Sequence, residues 1–227
     1  PYLIYDSLVV SPDVTLEIDP GVTFYMHDTA KVITYGTLLA QGTHENPIVF
    51  RGDRLDFILN DILPYDRTPS QWGGIFFRSE SYNNIMDNVI VRNGKTGLTF
   101  EKSSPDESKL KLNNSQITNM GENLFFALDC NIEVTNTELT NAGGGVVVLI
   151  GGEYKFIHCT LANFMTLEKR TTSCLTMANN ANNEAHPLNA TFDNCIIDGS
   201  FDAGKEEYKG ELNLSIDGAA SIEYIFN

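Results

Sequence analysis

The sequence predicts an all-β chain wound as a right-handed parallel β-helix solenoid, with three short strands per coil and an inward Asn ladder. Three observations carry this. A short phrase recurs, Asn, two variable residues, an aliphatic, one variable residue, Asn: Asn88-Val89-Ile90-Val91-Arg92-Asn93, Asn114-Ser115-Gln116-Ile117-Thr118-Asn119 and Asn136-Thr137-Glu138-Leu139-Thr140-Asn141. Looser copies start at His158 and Asn194, so the copies begin at positions 88, 114, 136, 158 and 194. Periods mostly in the twenties with strand-like content describe stacked coils. The second observation is alternation with period two on both sides of the phrase, and the third is a glycine-marked turn before one further strand in each coil.

Before the phrase, Met86, Leu112, Val134, Phe156 and Phe192 stand two residues ahead of the ladder position. Asn84, Leu110, Ile132, Tyr154 and Ala190 stand four ahead, and polar residues such as Lys111, Glu133 and Lys155 lie between. This is a strand with one buried face. After the phrase opens, the inward positions shift phase to Val89/Val91, Ser115/Ile117, Thr137/Leu139, Cys159/Leu161 and Cys195/Ile197. The chain must therefore kink at Asn88, Asn114, Asn136, His158 and Asn194, and Asn tolerates the left-handed backbone of such a corner. Stacked copies would place amide above amide at about 4.8 Å, so these five are expected to form an inward hydrogen-bonded column. The third strand is expected at Leu98–Phe100, Leu124–Leu128, Val146–Ile150 and Cys174–Met177, after the turns at Gly94, Gly121 and Gly143-Gly144-Gly145.

These coils resemble the right-handed β-helix repeats of the pectate-lyase-like superfamily. The N-terminal third is similar to a group of secreted or lipid-anchored β-helix proteins of anaerobic Gram-negative bacteria. The phrases concerned are Val14-Thr15-Leu16-Glu17-Ile18-Asp19-Pro20-Gly21-Val22, Tyr35-Gly36-Thr37-Leu38-Leu39-Ala40-Gln41-Gly42-Thr43, Asn46-Pro47-Ile48-Val49-Phe50-Arg51-Gly52-Asp53 and Gln71-Trp72-Gly73-Gly74-Ile75. The resemblance implies a secreted or cell-surface location and a polysaccharide or surface protein as partner. It brings no established activity.

Length and composition are consistent with a single solenoid over residues 1–227. Narrow coils are expected over 1–53, because Gly21, Gly36 and Gly52 recur at a shorter interval than the Asn phrase does. A long inserted loop follows over 53–71, then wider coils over 72–227. Fifteen Lys and Arg against 30 Asp and Glu give a net charge of −15. With no basic cluster, nucleic acid is excluded as a partner, and anionic membranes are disfavoured. No apolar run approaches the roughly 18 residues of a membrane span. The chain opens on Pro1, and Tyr224-Ile225-Phe226-Asn227 matches the start of another coil with Asn227 as its ladder residue. The expectation is a piece of a longer protein.

Chemistry-bearing residues gather in the 53–71 loop. Uronate lyases of the resembling superfamily use Asp-bound Ca²⁺ with an Arg or Lys base. That implies Asp53, Asp56, Asp66, Arg54 and Arg67 as catalytic candidates, with Asp53, Asp56 and Asp61 as Ca²⁺ ligands, since carboxylate oxygens suit a hard cation. The alternative is a packing flap closed by Asp–Arg pairs over buried Phe57, Ile58, Leu59, Ile62 and Leu63. No cofactor other than Ca²⁺ is suggested. Tyr65 and Trp72 are candidate sugar-stacking residues, with coil-edge packing the competing role for Trp72. The adjacent Asp pair, His-Gly and Arg-Ile-Lys phrases of polygalacturonase-like hydrolases are missing, although Glu101 and Asp129 follow equivalent strands and are expected side by side. His158 is read as structural, and His27, His44 and His186 show no sequence partner. Cys130, Cys159, Cys174 and Cys195 form no C-x-x-C pair, so a thiolate metal site is not expected. Cys159 and Cys195 share one inward column, as two buried thiols or as a disulfide. Two function classes remain: a non-catalytic module contacting glycans or a partner protein, and a polysaccharide lyase or epimerase-like enzyme acting at the 53–71 loop.

Overall fold

The computed structural model describes residues 1–58, 64–170, 172–201, 210–218 and 220–227. Three parallel sheets of eight strands each run the length of the stack. Each coil contributes one strand to sheet A, then B, then C. Sheet A begins with Tyr2–Ile4, Thr23–Met26 and Ile48–Gly52, and continues through Val89–Arg92, Gln116–Met120, Glu138–Ala142, Thr160–Asn163 and Ile196–Gly199. Sheet B runs from Ser7–Val10 to Leu212–Ser215 and contains the third strands read from the sequence, at Leu98–Phe100, Phe125–Leu128, Val147–Ile150 and Leu175–Ala178. Sheet C runs from Thr15–Ile18 to Ile222–Phe226.

Alternation builds the core as expected. Met86, Leu112, Val134, Phe156 and Phe192 are buried, and so are Val89, Val91, Ile117 and Leu139 beyond the corner. Equivalent inward positions stack ring on ring. On sheet B, Phe77 stacks on Phe100 at 4.7 Å, and on sheet C, Phe156, Phe192 and Phe226 stack at 4.9 and 5.0 Å. Phe125 bridges the two stacks through a tilted contact to Phe100 and an edge contact to Phe156. Each fully buried ring contributes about 1.5–3 kcal/mol of burial, and the stacked rings favour the observed register between neighbouring coils.

The corner column departs from expectation in one respect. Asn88, Asn114, Asn136, His158 and Asn194 all take left-handed backbone, with φ of 50, 50, 48, 53 and 52°. They stack in register, but Asn114, Asn136, His158 and Asn194 are exposed and Asn88 is half-buried. The column therefore faces outward. The left-handed residue itself absorbs the phase reset, so it needs no inward side chain. The Asn88 and Asn114 side chains both donate to Asp87 Oδ1 at 2.9 Å, and Asn136 reaches Asn114 at 3.4 Å.

In two copies of the phrase it is the second Asn that is buried. Asn93 is 1% and Asn163 0% exposed, at the turn from sheet A to sheet B. Asn119 Nδ2 donates to Asn93 Oδ1 at 2.8 Å. Asn163 Oδ1 accepts from the Ala142 and Met165 amides, while its Nδ2 donates to the Ala142 and Gly144 carbonyls.

Two further expectations are corrected. The segment 1–53 does not form narrow coils: Leu16 pairs with Leu38, Leu8 with Val32 and Phe24 with Phe50, so its coils are as wide as those built on the Asn phrase. Gly21, Gly36 and Gly52 mark different turns, and Gly36 is glycine because a Cβ there would lie 2.1 Å from the Val14 carbonyl oxygen. At the other end, Phe226 pairs with Phe192, so Asn227 falls beside Asp193 rather than in the corner column. Ring stacking sets this register, and a one-residue slip would turn Phe226 outward.

Candidate functional site

The A-to-B turns and the B-to-C turns each build one cleft. On the first side, the 64–71 segment docks through polar contacts. Asn93 Nδ2 donates to the Asp66 carbonyl at 3.0 Å and Asn119 Nδ2 to the Arg67 carbonyl at 2.9 Å. Gln71 Nε2 donates to the Thr68 carbonyl at 2.7 Å and also to that of Tyr65. The Asp66 carboxylate lies between Arg51, at 2.8 Å, and Arg92, at 3.1 Å. Partial burial lowers the Arg92 pKa, against the opposing pull of Asp66. Gly121 permits the close approach, since a Cβ there would meet Ser70 Oγ at 1.8 Å.

Among the described residues, polar contacts rather than apolar packing hold this loop. Leu55, Phe57 and Ile58 are 62, 45 and 39% exposed. Leu59, Asp61, Ile62 and Leu63 lie outside the described residues. The ladder side chains supply the anchoring that the flap reading assigned to Phe57 and Ile58. Trp72 is 1% exposed, with its Nε1 donating to the Arg92 carbonyl at 2.9 Å. It is a core residue at a coil edge and presents no stacking face to a sugar.

Asp53, Arg54 and Tyr65 line one cleft of about 430 Å³, together with His27, Asp28 and Gln71. Their charges are matched internally. Asp53 pairs with His27 at 2.6 Å. Arg54 grips Asp56 through both carboxylate oxygens, at 2.8 and 2.6 Å, and covers the Tyr65 ring at 4.1 Å. That hydrogen-bonded pair raises the Arg54 pKa and lowers that of Asp56. Arg67 is exposed and enters no ion pair among the described residues. Nor does any group of three His, Cys, Asp or Glu there have the arrangement to hold a metal ion. The Asp56 carboxylate is taken up by Arg54 and that of Asp53 by the His27 ring.

The larger cleft, about 590 Å³, lies on the opposite side, where the B-to-C turns meet sheet C. Its lining includes Lys102, Ser103, Asp129, Glu153, Asn189 and Glu223. Glu101 and Asp129 do not act as a pair. Glu101 takes Arg78 and the Ser79 amide, the latter at 3.2 Å. Asp129 takes Lys102 at 3.0 Å and the buried His186 at 2.7 Å. Asp129 sits at φ 45° and Gly151 at φ 59°, where a Cβ would lie 2.1 Å from Asp129 Oδ1 and 2.7 Å from His186 Cβ. Behind them, Cys130 is buried, and desolvation pushes its thiol up to about 11. Sequence reasoning missed the partners His27–Asp53 and His186–Asp129, which lie far apart along the chain with no local signal between them.

A second cleft of about 270 Å³ adjoins this one along the outer face of sheet C, and both are lined by Glu153 and Asn189. Strand register explains the continuity. Asn131, Glu153, Asn189 and Glu223 form one outward row in four successive coils. Lys111, Glu133, Lys155 and Thr191 form the next. The result is a polar track parallel to the solenoid axis, repeating at the strand spacing of about 4.8 Å.

Residues 23–161 match the family model described as the right handed beta helix region. That span covers more than half of the chain, and the chain belongs to this family. Comparisons with curated proteins and with solved structures give no match. Among the described residues, no helix is long and apolar enough to cross a membrane.

Proposed function

We propose that this chain is a non-catalytic, secreted or cell-surface β-helix module that binds an extended glycan along the outer face of sheet C. The observation that carries this reading is the pair of adjoining clefts with its two polar rows. The coil rise of about 4.8 Å is close to the length of one pyranose unit in an extended chain, so successive sugars meet equivalent side chains in successive coils. The amides of Asn131 and Asn189 and the carboxylates of Glu153 and Glu223 suit sugar hydroxyls, which both donate and accept hydrogen bonds. A non-catalytic role is supported by the internal pairing of Asp56, Asp66 and Asp129 with Arg or Lys side chains and of Asp53 with the His27 ring, since a general acid or base must be able to exchange a proton with substrate.

A polysaccharide panel on the whole chain tests this, scoring binding and degradation together. Binding without product release is expected. The Glu153→Ala/Asn189→Ala double variant should weaken it by about tenfold or more, because each lost hydrogen bond is worth about 0.5–1.5 kcal/mol. Release of unsaturated sugars would replace this reading with the lyase, and binding unchanged in the double variant would remove the proposed face.

A further inference from the structure

The inward column that begins each sheet A strand contains Val89, Ser115, Thr137, Cys159 and Cys195. Its last two members stand one above the other, because Thr160 pairs with Ile196 immediately after them. The Cys159 amide points at Cys195 Sγ, 3.5 Å away. Adjacent strands place such Cα atoms about 4.8 Å apart, inside the roughly 4.4–6.8 Å window a disulfide spans. Both thiols hang toward the coil beneath. Cys195 Sγ reaches the Asp193 and Phe156 carbonyls at 3.4 and 3.6 Å, which aims it at the Cys159 coil. Cys159 Sγ reaches the Ile157 and Val134 carbonyls at 3.3 and 3.4 Å, so bond formation requires the Cys159 side chain to rotate toward Cys195. The two differ in access. Cys159 is 1% exposed, whereas Cys195 is partly open to solvent, and the strand that follows it, Ile196–Gly199, lies at the end of sheet A.

From this geometry we propose that Cys159 and Cys195 are a dithiol–disulfide pair, formed by exchange with a small-molecule disulfide, which fastens the strand Ile196–Gly199 to the coil beneath it. The Cys195 thiolate attacks one sulfur of the disulfide and expels one equivalent of thiol, giving a mixed disulfide. Cys159, losing its proton to solvent, attacks Cys195 Sγ and expels the second equivalent. Two protein thiols are oxidised and one disulfide is reduced to two thiols. The environment favours Cys195 as the attacking group. Its hydrogen bond with Cys159 lowers its pKa to about 7, while that of Cys159 is raised by the same contact and by burial. Cys130 and Cys174 are both 0% exposed, and desolvation pushes them up to about 11 and about 12, so neither competes.

Incubation of the reduced whole chain with oxidised glutathione tests this by intact mass and peptide mapping. Wild type should lose two hydrogen masses, yield the single cross-linked peptide Cys159–Cys195 and unfold at higher temperature than its reduced form. Cys159→Ser should trap one glutathione on Cys195, and Cys195→Ser should remain unmodified. Should wild type keep four free thiols, stop at stable glutathione adducts or couple a different pair, the proposal is overturned. Glutathione trapped elsewhere in Cys159→Ser overturns it too.

Discussion

Replacing Asn163 by Ala tests where the structural amide column lies. The side chain is 0% exposed and makes four hydrogen bonds, accepting from the Ala142 and Met165 amides at 3.2 and 3.3 Å and donating to the Ala142 and Gly144 carbonyls at 2.9 and 3.3 Å. Alanine leaves two amide donors of buried residues without that acceptor. Each orphaned buried group costs about 1–3 kcal/mol, so a loss of about 3 kcal/mol is a central expectation. For a chain of this size that corresponds to a fall in midpoint of roughly 6–12 °C. Thermal unfolding read by circular dichroism measures it, and hydrogen exchange at Ala142 and Met165 localises it. A loss under about 1 kcal/mol, with protection at those amides intact, would refute the assignment of Asn163 as the buried ladder residue.

The outward corner column makes the converse expectation. Asn136→Gly should change stability by less than about 0.5 kcal/mol, whereas Asn136→Val should cost about 1–2 kcal/mol or more, because only the left-handed backbone matters there; urea unfolding of both distinguishes them. Gly151→Ala should separate His186 from Asp129, visible as a changed His186 imidazole shift in NMR spectra, and should lower stability through both the clash and the φ of 59°. Alkylation of Cys195 by iodoacetamide should accelerate as pH rises through about 7, the thiolate being the reactive form, and a rate rising only near the ordinary thiol pKa would contradict the lowered value.

Much of the fold was legible because the buried strands obey a period of two that reads directly as inward and outward positions. Met86, Leu112, Val134, Phe156 and Phe192 are where the pattern puts them. The corner residues were legible as corners, since a left-handed backbone selects Asn. Their direction was not, because the phase reset is satisfied equally well on paper by an inward or an outward side chain. Hydrogen bonding across coils, absent from any single repeat, is what assigns burial to Asn93 and Asn163 instead. Glycine spacing misleads at the N-terminal end because it runs across unlike turns, while strand pairing follows side chains such as Phe24 and Phe50. In the candidate site, Asp53, Arg54 and Tyr65 come together as local sequence suggests. His27 and His186 come from distant turns, and only the stacking of coils places them against Asp53 and Asp129.

The central functional claim is that the polar track on sheet C reads a glycan coil by coil. Isothermal titration with one oligosaccharide series of increasing length, drawn from whichever polysaccharide binds, tests it most directly. Affinity should climb with each added sugar until the ligand spans the four coils bearing Asn131, Glu153, Asn189 and Glu223, then level off. An affinity independent of length beyond a single sugar, or one that Glu153→Ala and Asn189→Ala leave unchanged at every length, would contradict the account.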